Sequence, residues 1–453
     1  MVLTDDATLS RALDYADRWL AYRCWRLRLP GVQAAVRVGG ALVLETAHGV
    51  AEAASGEPLT PQHRFRIASH SKSLAALAAM RLVEQGRLRL DDAAQDRVPA
   101  LHGTEAGRLQ VRELLSHGSG AVRDGDDVAF WHLQAPFPDA ERLLAIAAAG
   151  VARVPASAEF KYSNVGFGLL GLVIEAVTGT AYEDALRQLV LAPLGREDVT
   201  ADLTDDAAQL VTGHSALHSS EERRALGSPR AGALAAATGA VATASQLTDV
   251  LRTVTDDDDR LLGAEAKRRM RQQQWTTAAR DGGAAGYALG LMLRSIDGRE
   301  WVGHGGAWTG QATRTLVDVE RDIVVSVLAN AIDAPAEELA VGVARLIDAA
   351  LDDTDPAADE TLHLARSFEG TFSSLWARVD VVELGGRLLV VSPTAADPMA
   401  AVDVLTPLDD DRVRVAAATG MGSGHEIAVV ERNAVGRVVR WRGAMHLDAV
   451  EER

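Results

Sequence analysis

Lysine is nearly absent from this chain: of its 46 lysines and arginines only Lys72, Lys161 and Lys267 are lysine. Cysteine is rarer still. Cys24 stands alone, which rules out an intramolecular disulfide and removes cysteine usage as an argument for export. Long apolar runs are missing as well: the best candidate, LLAIAAAGVA at 143–152, stops at Arg153, too short to cross a bilayer as a helix. The first residues, MVLTDDATLSRALDYADRW, are acidic and amphipathic, without the basic segment and apolar core of a signal peptide, so a cytoplasmic location is expected. Positive charge is in deficit, with 63 acidic residues giving a net charge of -17. No basic face is apparent, so nucleic acid and anionic membranes are not expected partners.

What is present is a chain of 453 residues, 47% hydrophobic, long enough for two domains. Leu9, Leu13, Ala16 and Leu20 recur at helical spacing up to Pro30-Gly31. VQAAVRV and ALVLETA flank Gly39-Gly40 as a hairpin. A helix is predicted from Ser69 to Gly86, and residues 90 to 300 read mostly as Ala- and Leu-rich helices. Strand patterns return at 301–304, 313–319 and 323–328. Strands bracketing a helical middle predict one antiparallel sheet assembled from both ends of this region. The acidic segment DDTDPAADET at 352–361 reads as a linker. Beyond it ARVDVVEL, RLLVVSP, RVRVAAA, EIAVVER and RVVRWRG suggest a small antiparallel barrel. The expected domains are therefore 1–355 and 356–453.

Ser69 and Lys72 lie three apart at the start of a predicted helix, on one face, so the amine can reach the hydroxyl. Serine needs a base to become a nucleophile. A buried lysine can shed its proton and serve; arginine cannot, which gives a reason to keep a lysine here. The helix N-terminus adds free N–H groups where an oxyanion would develop. The pattern is short, and with 21 serines in the chain it decides nothing alone.

Tyr162 and Asn164, two apart before an apolar helix, point the same way if the backbone is extended. A tyrosine beside an ammonium ionises more easily and can act as a base, while an Asn amide can hold a peptide carbonyl. Gly166, Gly168 and Gly171 match the dinucleotide spacing, but no strand precedes them, and close helix packing is the better reading. His304-Gly305-Gly306 ends an apolar strand pattern where glycines would let a substrate backbone approach. His214 and His218, four apart, lack a third ligand, so no metal or other cofactor is expected. The runs Asp256 to Asp259 and Asp409 to Asp411 read as solvated turns.

In the order Ser-x-x-Lys, Tyr-x-Asn, His-x-Gly, these motifs resemble those of the serine β-lactamase and penicillin-binding-protein superfamily. The resemblance spans about residues 30–350 and includes RFRIAS and ELLSHGSG. It implies an α/β (α+β) fold, a β-lactamase-like antiparallel sheet flanked by helices with an all-helical subdomain; the C-terminal barrel would be lipocalin-like. It also implies that Ser69 forms an acyl-enzyme, that Lys72 and Tyr162 share the proton work, and that Asn164 orients the substrate. His304 would line the far side, and the amides of Ser69 and Ala307 would hold the oxyanion. Gly305, Gly306, Trp131 and Trp308 are candidates for substrate contacts. Many penicillin-binding members carry Lys where this chain has His304, and a neutral imidazole attracts a carboxylate less. The chain looks like the penicillin-binding-protein-type thioesterases, which release and cyclise nonribosomal peptides. That implies a peptidyl thioester on a carrier protein of a peptide synthetase as substrate; the protein itself is expected to be a monomer. A D-stereospecific peptidase or esterase, and an inactive peptide or β-lactam sensor, are the alternatives.

Overall fold

Gly31–Val38 (β1) and Ala41–Glu52 (β2) pair antiparallel as the hairpin that the sequence predicts. Gly39 and Gly40 at its tip have φ of 56° and 82°, the positive pair that a two-residue hairpin turn demands. The computed structural model describes residues 7–205, 209–218, 221–278, 283–351, 359–417 and 423–450. Strand β3 (Glu57–Pro58) edges β2. The rest of the sheet comes from later in the chain: β4 (Trp275–Ala278), β5 (Ala284–Tyr287), β6 (Met292–Ile296), β7 (Arg299–Trp308), β8 (Gln311–Asp318) and β9 (Ile323–Ala329). In space the order is β3-β2-β1-β9-β8-β7-β6-β5-β4, so the first strand pairs with the last, Val32 opposite Ala329 and Val38 opposite Ile323. Strands β1, β8 and β9 are buried almost throughout; β9 (IVVSVLA) is apolar but for Ser326, whereas β8 (QATRTLVD) carries buried polar residues such as Arg314 and Thr315.

Two readings of this region need correction. Residues 275–278, 284–287 and 292–296, assigned above to helix, are strands β4 to β6. Their short, Ala- and Thr-containing runs carry little periodicity, and the open sheet edge beside β7 decides their conformation. The strand holding His304 also does not stop there: Gly305, Gly306, Ala307 and Trp308 pair in register with Arg314, Thr313, Ala312 and Gln311.

The helical part contains α2 (His70–Glu84), α3 (Ala140–Ala148), α4 (Asn164–Thr178) and α5 (Ala244–Arg252), following α1 (Ala7–Arg26) in the chain. Helix α2 runs through the core with His70 to Met80 all buried. Gly168 of α4 lies where a Cβ would come within 2.9 Å of Leu143 and 3.0 Å of Leu234, and Gly171 within 3.1 Å of Ala236, so these glycines do serve close packing. The acidic run 256–259 is only partly solvated. Asp258 is buried between Arg252 (3.1 Å) and Arg260, and burial of a carboxylate requires such partners.

The C-terminal strands β10 (Gly370–Ser373), β11 (Arg378–Leu384), β12 (Arg387–Val391), β13 (Asp403–Pro407), β14 (Arg412–Ala417), β15 (Ile427–Arg432), β16 (Val438–Gly443) and β17 (Leu447–Ala449) close into an eight-stranded antiparallel barrel. Five are the runs quoted from the sequence. Its interior is filled by side chains: Trp441 packs against Phe368 and, edge-on, Phe372 among Val and Leu residues. Of the expected linker, residues 352–358 lie outside the described residues, and α7 (Asp359–Arg366) follows α6 (Ala336–Leu351). Against the expected 1–355 and 356–453, the chain divides into one compact unit of Leu29–Ala340 and another that joins the residues up to Arg28 to those from Val341 onward. Among the described residues no single helix is long and apolar enough to cross a membrane.

Candidate active site

Ser69, the candidate nucleophile, sits where the chain turns from a short extended segment into α2. Phe65–Arg66 pairs with Val241–Ala242, and the Ile67 amide donates to the Ala240 carbonyl. Arg66 is buried, 3.1 Å from Asp202, with its guanidinium 4.1 Å over the Trp308 ring. Ala68 follows at φ 49°, a left-handed conformation that costs an alanine about 1 kcal/mol. That turn places Ser69 at the N-cap of α2, where its side chain makes no capping bond and stays available. Ser71 stabilises the turn by donating to the Ala68 carbonyl (2.7 Å) and accepting from the Ala240 amide (2.9 Å). His70, fully buried between the Ile67 carbonyl and Thr315, is held neutral, its pKa pushed by burial down to about 3.

Gly306 makes this approach possible. A Cβ there would lie 2.4 Å from both the Ile67 carbonyl oxygen and Thr313 Oγ1, so this glycine admits the turn that carries Ser69. Gly306→Ala is expected to displace the turn, lower stability by about 1–3 kcal/mol and slow acylation of Ser69 disproportionately. Thermal melts compared with active-site labelling rates measure this; an unchanged labelling rate refutes it.

Lys72 Nζ lies 3.2 Å from Ser69 Oγ, 2.7 Å from Asn164 Oδ1 and 2.7 Å from the Ala237 carbonyl. The side chain is wholly buried, and burial pushes its pKa well below the ordinary lysine value, opposed by Asp124 and assisted by Arg123. A neutral amine has two N–H donors and one lone pair. Asn164 and Ala237 can take both hydrogens, which leaves the lone pair for the Ser69 hydroxyl. The ammonium, with three hydrogens, meets the same three acceptors. Both protonation states are therefore satisfied in place, as a proton carrier requires.

Tyr162 donates to Ser69 Oγ at 2.8 Å. Its pKa moves opposite to the direction expected from a neighbouring ammonium. Burial raises it, and the adjacent lysine is itself biased to neutrality. The phenol is thus a hydrogen-bond donor to the nucleophile, and Lys72 is the group suited to take the serine proton. Asn164 Nδ2 donates to Asp124 Oδ1 at 2.6 Å, which fixes its carbonyl toward Lys72. His304 is buried on β7, its Nε2 3.2 Å from the Tyr287 hydroxyl, and burial holds it neutral. Ala307 is exposed on the same strand, and among the described residues the Ser69 amide enters no hydrogen bond.

The structure thus joins Ser69, Lys72, Tyr162 and Asn164 through direct bonds. Trp308 does not behave as a substrate wall: it is 1% exposed, stacked on Phe137 at 5.0 Å and covered by Arg66. Trp131 packs edge-on to Trp308 at 5.5 Å and is half-buried. His214 lies in a two-residue strand, bonded to the Asn330 carbonyl, not on a helix with His218. Sequence reasoning passed over Asp124, Tyr287, the Ala237 carbonyl and His117. Only His117 carried a signal, within ELLSHGSG.

A serine at a helix start, in contact with a buried lysine and a tyrosine beside an antiparallel sheet, is a serine-hydrolase-like arrangement on a β-lactamase-like fold. Residues 16–348 match the family model described as Beta-lactamase, and the chain belongs to that family. It is 34% identical over 178 residues to penicillin-binding protein 4 of Amycolatopsis lactamdurans, a match covering 37% of this chain and 43% of that protein. It is 31% identical over 216 residues to esterase EstB of Burkholderia gladioli, covering 43% and 52%. These matches span about half the length of those relatives. Among solved structures, SurE superimposes with a TM-score of 0.61 at 27% identity, over 97% of this chain and 99% of that one.

Proposed function

We propose that the protein is a serine acyltransferase that takes a peptidyl group from a carrier-bound thioester and releases it by head-to-tail macrocyclisation, as a cytoplasmic monomer. The observation that carries this reading is the whole-length similarity to SurE, which takes in the barrel as well as the catalytic unit. A SurE structure with D-Leu supports an acyl donor ending in a D-residue. The neutral His304 supports it too, since a thioester-bound peptide presents no free carboxylate to be paired.

In this reaction Ser69 Oγ bonds the thioester carbon as its proton passes to Lys72 Nζ. The oxyanion accepts N–H bonds from Ser69 and Ala307. Collapse breaks the C–S bond, and the thiolate takes a proton from the Lys72 ammonium, with Tyr162 donating to the oxygen that changes charge. The peptide's own amine then attacks the ester carbon and passes its proton to Lys72, and Ser69 regains a proton as it leaves.

A second reading, hydrolysis of the same acyl-enzyme, is favoured by the similarity to EstB, an esterase. The contacts of Ser69 with two proton-bearing groups favour either enzyme over a sensor. Incubation with a small-molecule peptidyl thioester ending in a D-residue separates the two. Cyclic peptide, lighter than the linear acid by one water, is expected; linear acid alone would sink the cyclase and leave the hydrolase.

A further inference from the structure

We propose that His117 is a positioning residue that sets the backbone of the Tyr162-Ser163-Asn164 segment and thereby aims both side chains at Ser69 and Lys72. Its carbonyl accepts the Lys161 amide at 2.9 Å and its Nδ1 accepts the Ser163 amide at 3.1 Å. One residue thus ties down the backbone amides on both sides of Tyr162, which fixes the path of the chain through that residue. The imidazole also lies against the Tyr162 ring with centroids 4.1 Å apart, and against Phe167 at 5.0 Å and Tyr287 at 4.7 Å.

Two further features mark the residue as constrained for this purpose. His117 is fully buried and at φ 59°, in the left-handed region that is uncommon for residues other than glycine. Because Nδ1 accepts a hydrogen bond, the neutral ring must carry its proton on Nε2, and that atom has no hydrogen-bond partner among the described residues. Burial, with Lys72 nearby, keeps the imidazole neutral, so the acceptor persists through the pH range in which Lys72 works.

The test separates the acceptor from the ring. His117→Phe keeps an aromatic ring against Tyr162 but cannot accept from Ser163; His117→Asn loses the ring but keeps an oxygen acceptor and tolerates the left-handed backbone. With p-nitrophenyl butyrate, an activated ester whose use does not depend on the cyclase reading, kcat of the Phe variant is expected to fall about 100-fold. Its KM should stay within about twofold of wild type, and the Asn variant should recover at least about tenfold of the lost kcat. Wild-type kcat in the Phe variant, or equal losses in both variants, overturns the proposal. If the Phe variant does not fold, 15N spectra of the histidine-labelled wild type decide: an unprotonated, bond-accepting Nδ1 at His117 is required, and a protonated Nδ1 refutes it.

Discussion

Lys72→Met is expected to lower the rate of Ser69 acylation by roughly 10³- to 10⁴-fold, the upper part of the range for a positioned proton acceptor, without loss of the fold. Methionine approximates the length and volume of the buried lysine stem, so packing against the Tyr162 and Phe167 rings, 4.7 and 5.5 Å from Nζ, is largely kept. What is lost is, among the described residues, the only group hydrogen-bonded to Ser69 Oγ that burial biases toward accepting a proton. Lys72→Arg should abolish acylation as well, because guanidinium does not deprotonate. Intact-mass detection of the adduct from an activated peptide ester measures both; near-wild-type labelling in either variant refutes the assignment of the base.

The same residue sets a pH dependence. The folded-state pKa of Lys72 is depressed below its unfolded value, so acylation rises with pH as the amine loses its proton and levels off well below the ordinary lysine value. The stability contribution has a matching sign. The unfolded chain binds the proton more tightly than the buried site, so the neutral amine favours folding fully above the unfolded pKa, and this contribution is lost as pH falls through the depressed folded value. Lys72→Met should therefore lose the ascending limb of the rate profile and also flatten the dependence of melting temperature on pH. A limb that survives the substitution assigns it to another group.

Tyr162→Phe is expected to slow acylation by about 10²- to 10³-fold while leaving that ascending limb in place. The phenol donates to Ser69 Oγ at 2.8 Å, and its raised pKa keeps it protonated wherever Lys72 is active. Removing it withdraws a donor from the oxygen that changes charge during reaction but leaves the base. The decisive readout is the rate profile. Loss of the limb in Tyr162→Phe would make the tyrosine the base and overturn the division of labour.

The strand that carries His304 shows where sequence pattern stops short. His-Gly-Gly reads as a strand end because glycine weakens an isolated strand, yet pairing with Gln311 to Arg314 holds it extended through Trp308. Strands β4 to β6 read as helix for a related reason: their conformation is decided by the neighbouring strand, not by their own composition. Trp308, set apart as a substrate contact, is claimed by Arg66, 242 positions earlier, a distance at which spacing carries no information.

By itself the sequence determined the pairs whose geometry is local. Ser69 and Lys72 are neighbours because three residues make nearly one helical turn, and Tyr162 and Asn164 share a side because an extended chain repeats every two. The lysine's identity followed from acid–base chemistry alone. Only the tertiary structure decided what that lysine is. Its depressed pKa comes from a core built by distant segments, and its hydrogens are accounted for by Asn164 and Ala237, 92 and 165 residues away. Asp124 and His117 orient the tyrosine-asparagine segment from a loop 40 or more residues upstream. Burial and long-range hydrogen bonds are properties of the packed chain, and they turn a short motif into a site that can move a proton.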